Sequence, residues 1–442
     1  MTPPDGARSD ARSRALGARR ALTSRPRCAS TIDPPTSPRR WVHGAIPRSF
    51  LMFRSTMSIT ALSLGIFAAS APGDAMAHRA GVHRHGQVFV MTNAGDGNAV
   101  VAYDRDADGS LAYAGTYATG GLGAPSRPIN PLGSQGSLVL SEDGKLLFAV
   151  NAGSNEVSMF RVGPHGLTLL DVVDSGGDFP VSVASHGGLL YVLNVGGDGN
   201  IAGFEVDPCG ELVPMKGSVR DLGLGGTIPP SLGATPGQIG FSPGGEVLVV
   251  AGKGSNQIHV FPVIGRGLPS DAPVTTISRG LVPFDFAFDR RGHLIVAEVG
   301  GDGVPATGDT SAVSSYGIRA DGSLAVISDT IDTFQRATCW IAGAPGSRYV
   351  FTANTGSDTV SGLQVDARGA LTLLDGGVSA SFPAGTAPID LTMTRDGRFL
   401  YTLNAGAGTI AAFQVSRDGS LLPRGEAGGL VPGGGAQGIA VR

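Results

Sequence analysis

Charge, histidine and cysteine are all scarce in this chain, and each scarcity closes off a class of mechanism. Charged residues make up only 16% of the 442 residues and nearly cancel, leaving a net charge of −3. That balance argues against nucleic acid or an anionic membrane surface as a partner. Beyond residue 86 the only histidines are His165, His186, His259 and His293. The first two fall in tight turns, His293 follows such a turn, and His259 lies inside a strand-like run. The three cysteines, Cys28, Cys209 and Cys339, are expected too far apart in the repeat described below to form a disulfide. Cys339 has no histidine placed to activate it, so a structural thiol is expected there. Amphipathic helical patterns are missing from everything after Gly86, which leaves an all-β chain.

Glycine is abundant, at 69 residues, and it punctuates a recurring phrase. The stretch 387–422, APIDLTMTRDGRFLYTLNAGAGTIAAFQVSRDGSLL, reads as four short strands separated by Asp-Gly turns and a glycine-rich loop. The Asp-Gly pairs supply the positive-φ positions that tight hairpins need. The second strand and its loop return as VFVMTNAGDGN, LLFAVNAGSNE, LLYVLNVGGDGN and YVFTANTGSDT, with weaker copies LVVAGKGSNQ and LIVAEVGGDG, making seven units. A strand-ending Asn recurs at Asn93, Asn151, Asn194, Asn354 and Asn404, with Gly252 and Glu298 in its place in the weaker copies. Four antiparallel strands repeated in this way predict a seven-bladed β-propeller.

Four segments follow from this reading. Residues 1–51, rich in Arg, Pro and Ser, are expected to be a disordered or mis-called leader. Residues 52–77 have the form of a secretory signal: Arg54, the apolar run SITALSLGIFAASA and an Ala75-Met76-Ala77 ending. The apolar run is too short to span a bilayer. Translation is expected to start at Met52 or Met57, and cleavage after Ala77 would send a secreted or periplasmic chain on its way. Residues 78–86 form a leader with His78, His83 and His85, expected to be exposed rather than metal-binding. Residues 87–442 form the propeller. Its first unit lacks a first strand and its last is followed by a spare one, AQGIAVR at 436–442. Pairing the two would close the ring and hide the open edge.

The expected site lies where second strands end and first strands begin, since the loops there surround one mouth of the central channel. Aligning first strands by their turns puts Ser137, Gln238, Asp285, Trp340 and Asp390 in one column, with Gln437 near it on the closing strand. Asp285, Asp390 and Glu298 are the candidate acids and bases, and Gln238, Ser137, Trp340, Gln437 and Arg336 the candidate ligand contacts. The alternative is that these groups satisfy the backbone of neighbouring loops. The connection at 120–134, GGLGAPSRPINPLGS, is long enough to be functional. Asp104-x-Asp106-x-Asp108-Gly109 starts like a calcium loop, but Gly115 stands where the bidentate Glu is required, so a hairpin tip is expected. No metal and no cofactor are expected.

The phrases LSEDGKLLFAVNAGSNEVSMFRV, FSPGGEVLVVAGKGSNQIHVFPV and TRDGRFLYTLNAGAGTIAAFQV resemble the lactonase family of seven-bladed propellers, which includes 6-phosphogluconolactonase and 3-carboxy-cis,cis-muconate cyclase. FVMTN and YVFTAN are similar to the YVTN repeats of exported propellers. The resemblance runs from Val88 to Arg442 and implies hydrolysis or isomerisation of a small lactone; a monomer with no membrane span in the mature chain is expected. Members expected to be catalytic begin first strands with Pro-Arg-His or His-Pro-His phrases. Here those places read TPGQIGF, VPFDFAF, APIDLTM and SQGSLVL, so no catalytic histidine carries over. The alternative is a non-catalytic exported propeller that binds a small lactone- or carbohydrate-like ligand, or a protein.

Overall fold

The computed structural model describes residues 86–124, 127–230, 233–300 and 311–442. The expected signal segment 52–77 and the expected leader, apart from Gly86, lie outside them. The described residues form seven antiparallel sheets, each with four strands or with a fourth strand split in two, as the repeat requires. Alternation builds each blade. In Leu146–Asn151 and Phe399–Asn404 the side chains on both faces are buried, because blades stack on both sides of an inner strand. Outer strands such as Leu421–Ala427 are largely exposed. Ring closure takes the expected form: Ile439–Val441 pairs with Gly86–Met91 in the order third, second, first, closing strand of the first sheet.

The hairpin tips are those anticipated. Asp106 N–H donates to Ser110 O at 3.0 Å and Gly109 N–H to Asp106 O at 3.1 Å, so the calcium-like phrase is a turn. His259 lies in the strand Gln257–Ile264 with its Nδ1 3.0 Å from the Thr275 hydroxyl. The expectation for the cysteines holds only in part. Cys209 is disulfide-bonded, while Cys339 is a buried free thiol.

The strand-ending polar residues hold blades together. Asn151 accepts from Thr119 Oγ1 at 2.7 Å and from Asn98 Nδ2 at 3.0 Å, and donates to Ser158 Oγ at 2.7 Å. Asn354 donates to Ser361 Oγ at 2.8 Å. A second device sits one loop further on. Asn155, Asn256 and Asp358 adopt positive φ and accept from the N–H groups of Phe179, Val282 and Ala387, at 2.8, 2.8 and 2.7 Å. Those three acceptor-bound residues are themselves at positive φ, costly for a β-branched residue such as Val282. The bond fixes the angle at which the chain enters each first strand.

Candidate functional site

First strands enter the channel through a bulge. Register shifts fall between Pro180 and Ser182, Pro283 and Asp285, Thr338 and Trp340, and Ile389 and Leu391. The shift brings one residue per blade to the same level. Ser182 faces Leu193, Gln238 faces Ala251, Asp285 faces Ala297 and Trp340 faces Ala353, in each case one residue before the end of the second strand. Asp390 is the extra residue of its bulge, and Ser137 and Gln437 occupy the corresponding places. Gln238, Asp285 and Trp340 of the predicted column therefore share one register, joined by Ser182, which was missed, while Asp390 sits on its bulge. The signal for Ser182 was available: Pro180 stands two residues before it, as Pro283 and Pro388 stand before Asp285 and Asp390.

The connection between the first two blades folds into the channel mouth. Gln437 Oε1 accepts from Leu132 N–H at 3.0 Å, and its Nε2 donates to Asn130 Oδ1 at 3.1 Å and Ser134 O at 2.6 Å. Trp340 Nε1 donates to Ser134 O at 3.0 Å, and Lys253 Nζ donates to Gly133 O. The Gln135 side chain brackets the peptide of Ile341, donating to its carbonyl and accepting from its N–H, both at 3.1 Å. Residues 130–135 thus plug the ring and use several of the column's polar groups as anchors. Gln238 turns to its neighbour instead, accepting from Phe286 N–H at 2.7 Å, and Ser137 Oγ donates to Gln437 O at 3.3 Å.

Beneath the plug is a buried ionisable cluster. Neither carboxylate oxygen of Asp285 has a hydrogen-bond partner among the described residues. Burial, reinforced by the nearby Asp390, holds the Asp285 carboxyl well above the usual range, although Lys253 opposes this. Burial likewise raises Asp390 to about 7, against the N–H bonds it accepts from Leu391, Ile439 and Gly438. Lys253 is pulled down to about 7 by burial, with Cys339 and Asp285 opposing and Arg127 assisting, and its Nζ lies 4.4 Å from the centroid of the Phe284 ring. Burial pushes the Cys339 thiol above its ordinary range, so it is no ready nucleophile. Arg127 Nη2 donates to Pro230 O at 2.8 Å, while its Nη1 is buried without a partner among the described residues.

Two candidates stand apart. Glu298 accepts from Ser278 Oγ and Ser314 Oγ at 2.7 Å each and from Gly280 N–H at 2.8 Å. It does for its blade what Asn151 and Asn354 do for theirs, and burial raises its pKa despite those bonds. Arg336 is exposed and donates to Gly356 O at 2.9 Å.

Room for a ligand lies on either side of the plugged level. On the mouth side a cavity of about 320 Å³ is walled by Val282, Phe284, Val299, Ala337, Cys339 and Trp340, with Asn130, Thr355 and Asp358 among its few polar members. Phe284 and Trp340 meet edge to face there, centroids 5.2 Å apart at 61°. On the other side a hollow of about 270 Å³ reaches Gln135, Gln238 and Asp390. Asp285 and Lys253 line neither. Among the described residues no group of three or more His, Cys, Asp and Glu could hold a metal ion, and no helix is long and apolar enough to cross a membrane.

The architecture, seven four-stranded blades around a channel closed by the C-terminal strand, defines the class as closed seven-bladed propellers. Solved structures share it. A protein provisionally named a 6-phosphogluconolactonase from Bacteroides fragilis is similar at 18% identity and TM-score 0.61, over 81% of this chain and 98% of that one. A protein so named from Bacteroides uniformis is similar at 19% and 0.62, over 81% and 98%. The periplasmic gluconolactonase of Pseudomonas aeruginosa is similar at 19% and 0.58, over 80% and 98%. These identities speak for the fold alone. No protein-family profile matches the chain, and no curated protein matches it.

Proposed function

We propose that the chain is an exported propeller that captures a small, largely apolar cyclic ligand of the lactone class in its mouth cavity. The observation that carries this reading is the cavity of about 320 Å³ walled by Phe284 and Trp340. That volume suits a compact ring, and its few polar groups suit a ring carbonyl better than a polyhydroxylated sugar. The lactone class is suggested by the fold shared with the gluconolactonase of Pseudomonas aeruginosa. Export is supported by the signal-like segment at 52–77. The test uses Trp340, one of two tryptophans in the chain, as the reporter. Alkyl- and aryl-substituted lactones should change its fluorescence saturably, gluconolactone should not, and Phe284→Ala should weaken binding at least tenfold. A cavity indifferent to every lactone would end this reading.

Ring opening is the second reading, favoured by the cluster of Asp285, Lys253 and Asp390 next to Phe284 and Cys339. Protonated Asp285 could donate to a lactone oxygen, and an ionised Asp390 could take a proton from attacking water. The acid step needs residues 130–135 to move aside, because Asp285 lines neither cavity. Turnover of the same panel, lost in Asp285→Asn and Asp390→Asn while binding persists, would favour catalysis. Binding without turnover would leave capture alone.

A further inference from the structure

The turns that face away from the mouth carry a feature that the ligand cavity does not use. Three hollows follow one another along the seams between blades four and five, five and six, and six and seven. Their volumes are about 420, 290 and 430 Å³. Arg290 and Arg291 line both the first and the second, Arg348 both the second and the third, and Arg417 the third. The arginines therefore form a continuous arc rather than scattered points.

Their charges are largely unspent. Arg290, Arg348 and Arg417 are exposed and take part in no ion pair among the described residues. The acids beside them are committed to their own turns. Asp289 accepts from Arg291 N–H at 2.8 Å and lies 2.8 Å from His293 Nδ1. Asp366 accepts from Arg368 N–H at 2.7 Å and from Ala370 N–H at 2.9 Å. Glu246 accepts from Ser242 Oγ at 2.9 Å. Blade two shows the contrast, with Glu142, Asp143 and Lys145 at its equivalent turn and Lys145 paired to Asp143 at 2.9 Å.

We propose that this arc binds an acidic polysaccharide, seating one carboxylate in each hollow. Guanidinium groups match carboxylates in a planar, two-point manner, and hollows repeated at successive seams suit a polymer with regularly spaced charge. Ser416 in the third hollow offers a hydroxyl partner of the kind sugars use. The chain's net charge of −3 provides no long-range field for drawing in nucleic acid, which leaves local seating as the source of affinity.

The test immobilises the full chain and measures binding of polygalacturonate, with dextran as neutral polymer and single-stranded DNA as a non-sugar polyanion. Polygalacturonate should bind and weaken as salt rises, and dextran should not bind. Arg290→Ala, Arg348→Ala and Arg417→Ala should each weaken binding about two- to fivefold, and the triple variant should abolish it with its melting curve unchanged. Arg161→Ala in blade two should bind normally. No binding of polygalacturonate, or undiminished binding by the triple variant, would overturn the proposal. So would DNA bound in preference to polygalacturonate at the same arginines.

Discussion

The indole Nε1 of Trp340 donates to the carbonyl of Ser134 at 3.0 Å, joining the sixth blade to the connection that leaves the first. One bond thus ties a first strand to the plug that covers it. Trp340→Phe keeps an aromatic ring but removes the donor along with part of the indole, leaving a buried carbonyl short of one partner and a small gap in the packing. It should cost about 1–2 kcal/mol in denaturant unfolding and raise hydrogen exchange selectively in residues 130–135. Exchange rising evenly over all blades would mean that the bond is not what holds the plug.

Removal of the closing strand should be far more damaging. A chain ending at Gly435 loses the pairing of Ile439–Val441 with the first blade and all three bonds made by the Gln437 side chain. Two strand edges and a buried face would open together. The melting temperature should fall by more than about 10 °C. A fall of only a degree or two would show the last residues to be a frayed tail.

The buried acids make a signed prediction for pH. Asp390 titrates near 7 in the fold and near 4 when unfolded, so between those values the folded chain holds a proton that the unfolded chain has released. Asp285 is shifted in the same direction. Their contribution is therefore most favourable at low pH and is lost as pH rises through about 7. Lys253 has the opposite sign: its penalty is greatest below about 7 and fades as pH climbs toward its unfolded value. For Asp390 alone the change from pH 4 to pH 8 is on the order of 4 kcal/mol as an upper figure. Asp390→Asn should flatten that part of the stability–pH curve. An unchanged slope would show that Asp390 is ionised throughout.

Glu298 separates a structural acid from a catalytic one. Glu298→Ala leaves two hydroxyls and the Gly280 N–H without their acceptor and should cost about 2–4 kcal/mol. Glu298→Asn restores the residue found at this place in five other blades and should recover part of that loss. Ligand affinity should be the same in both variants once each is measured in its folded state. A loss of affinity with stability intact would move Glu298 into the site.

Export is checked most directly at the protein's terminus. N-terminal sequencing of the chain recovered from outside the cytoplasm should begin at His78 or within a few residues of it. A cytoplasmic chain that retains Met57 would remove the export reading.

The blade repeat could be read from sequence because its signals are local: an Asp-Gly turn, a β-rich run, a strand-ending Asn. The shared register of Gln238, Asp285 and Trp340 followed from the same signals. Ser182 escaped although Pro180 stands two residues before it, as Pro283 and Pro388 stand before Asp285 and Asp390. Lys253 escaped although it is conspicuous. It stands one residue after the strand end, where the other blades have Ala94, Ala152, Val195, Val299, Thr355 and Ala405. The plug had no comparable signal. Its anchors, Trp340 and Gln437, lie 206 and 303 residues from Ser134, and nothing local in GGLGAPSRPINPLGS says that it turns inward. At this level loop backbones compete for the same polar side chains as a ligand would.

The first blade is assembled from both ends of the propeller, and synthesis delivers those ends in order. Six blades can form as their residues emerge, but the first must wait as a three-stranded sheet until Ile439–Val441 arrives. For a chain threaded across a membrane, the ring could not lock while its last residues were still in transit. The closing strand would then act as a completion signal, leaving an interrupted chain open-edged and exposed to proteolysis.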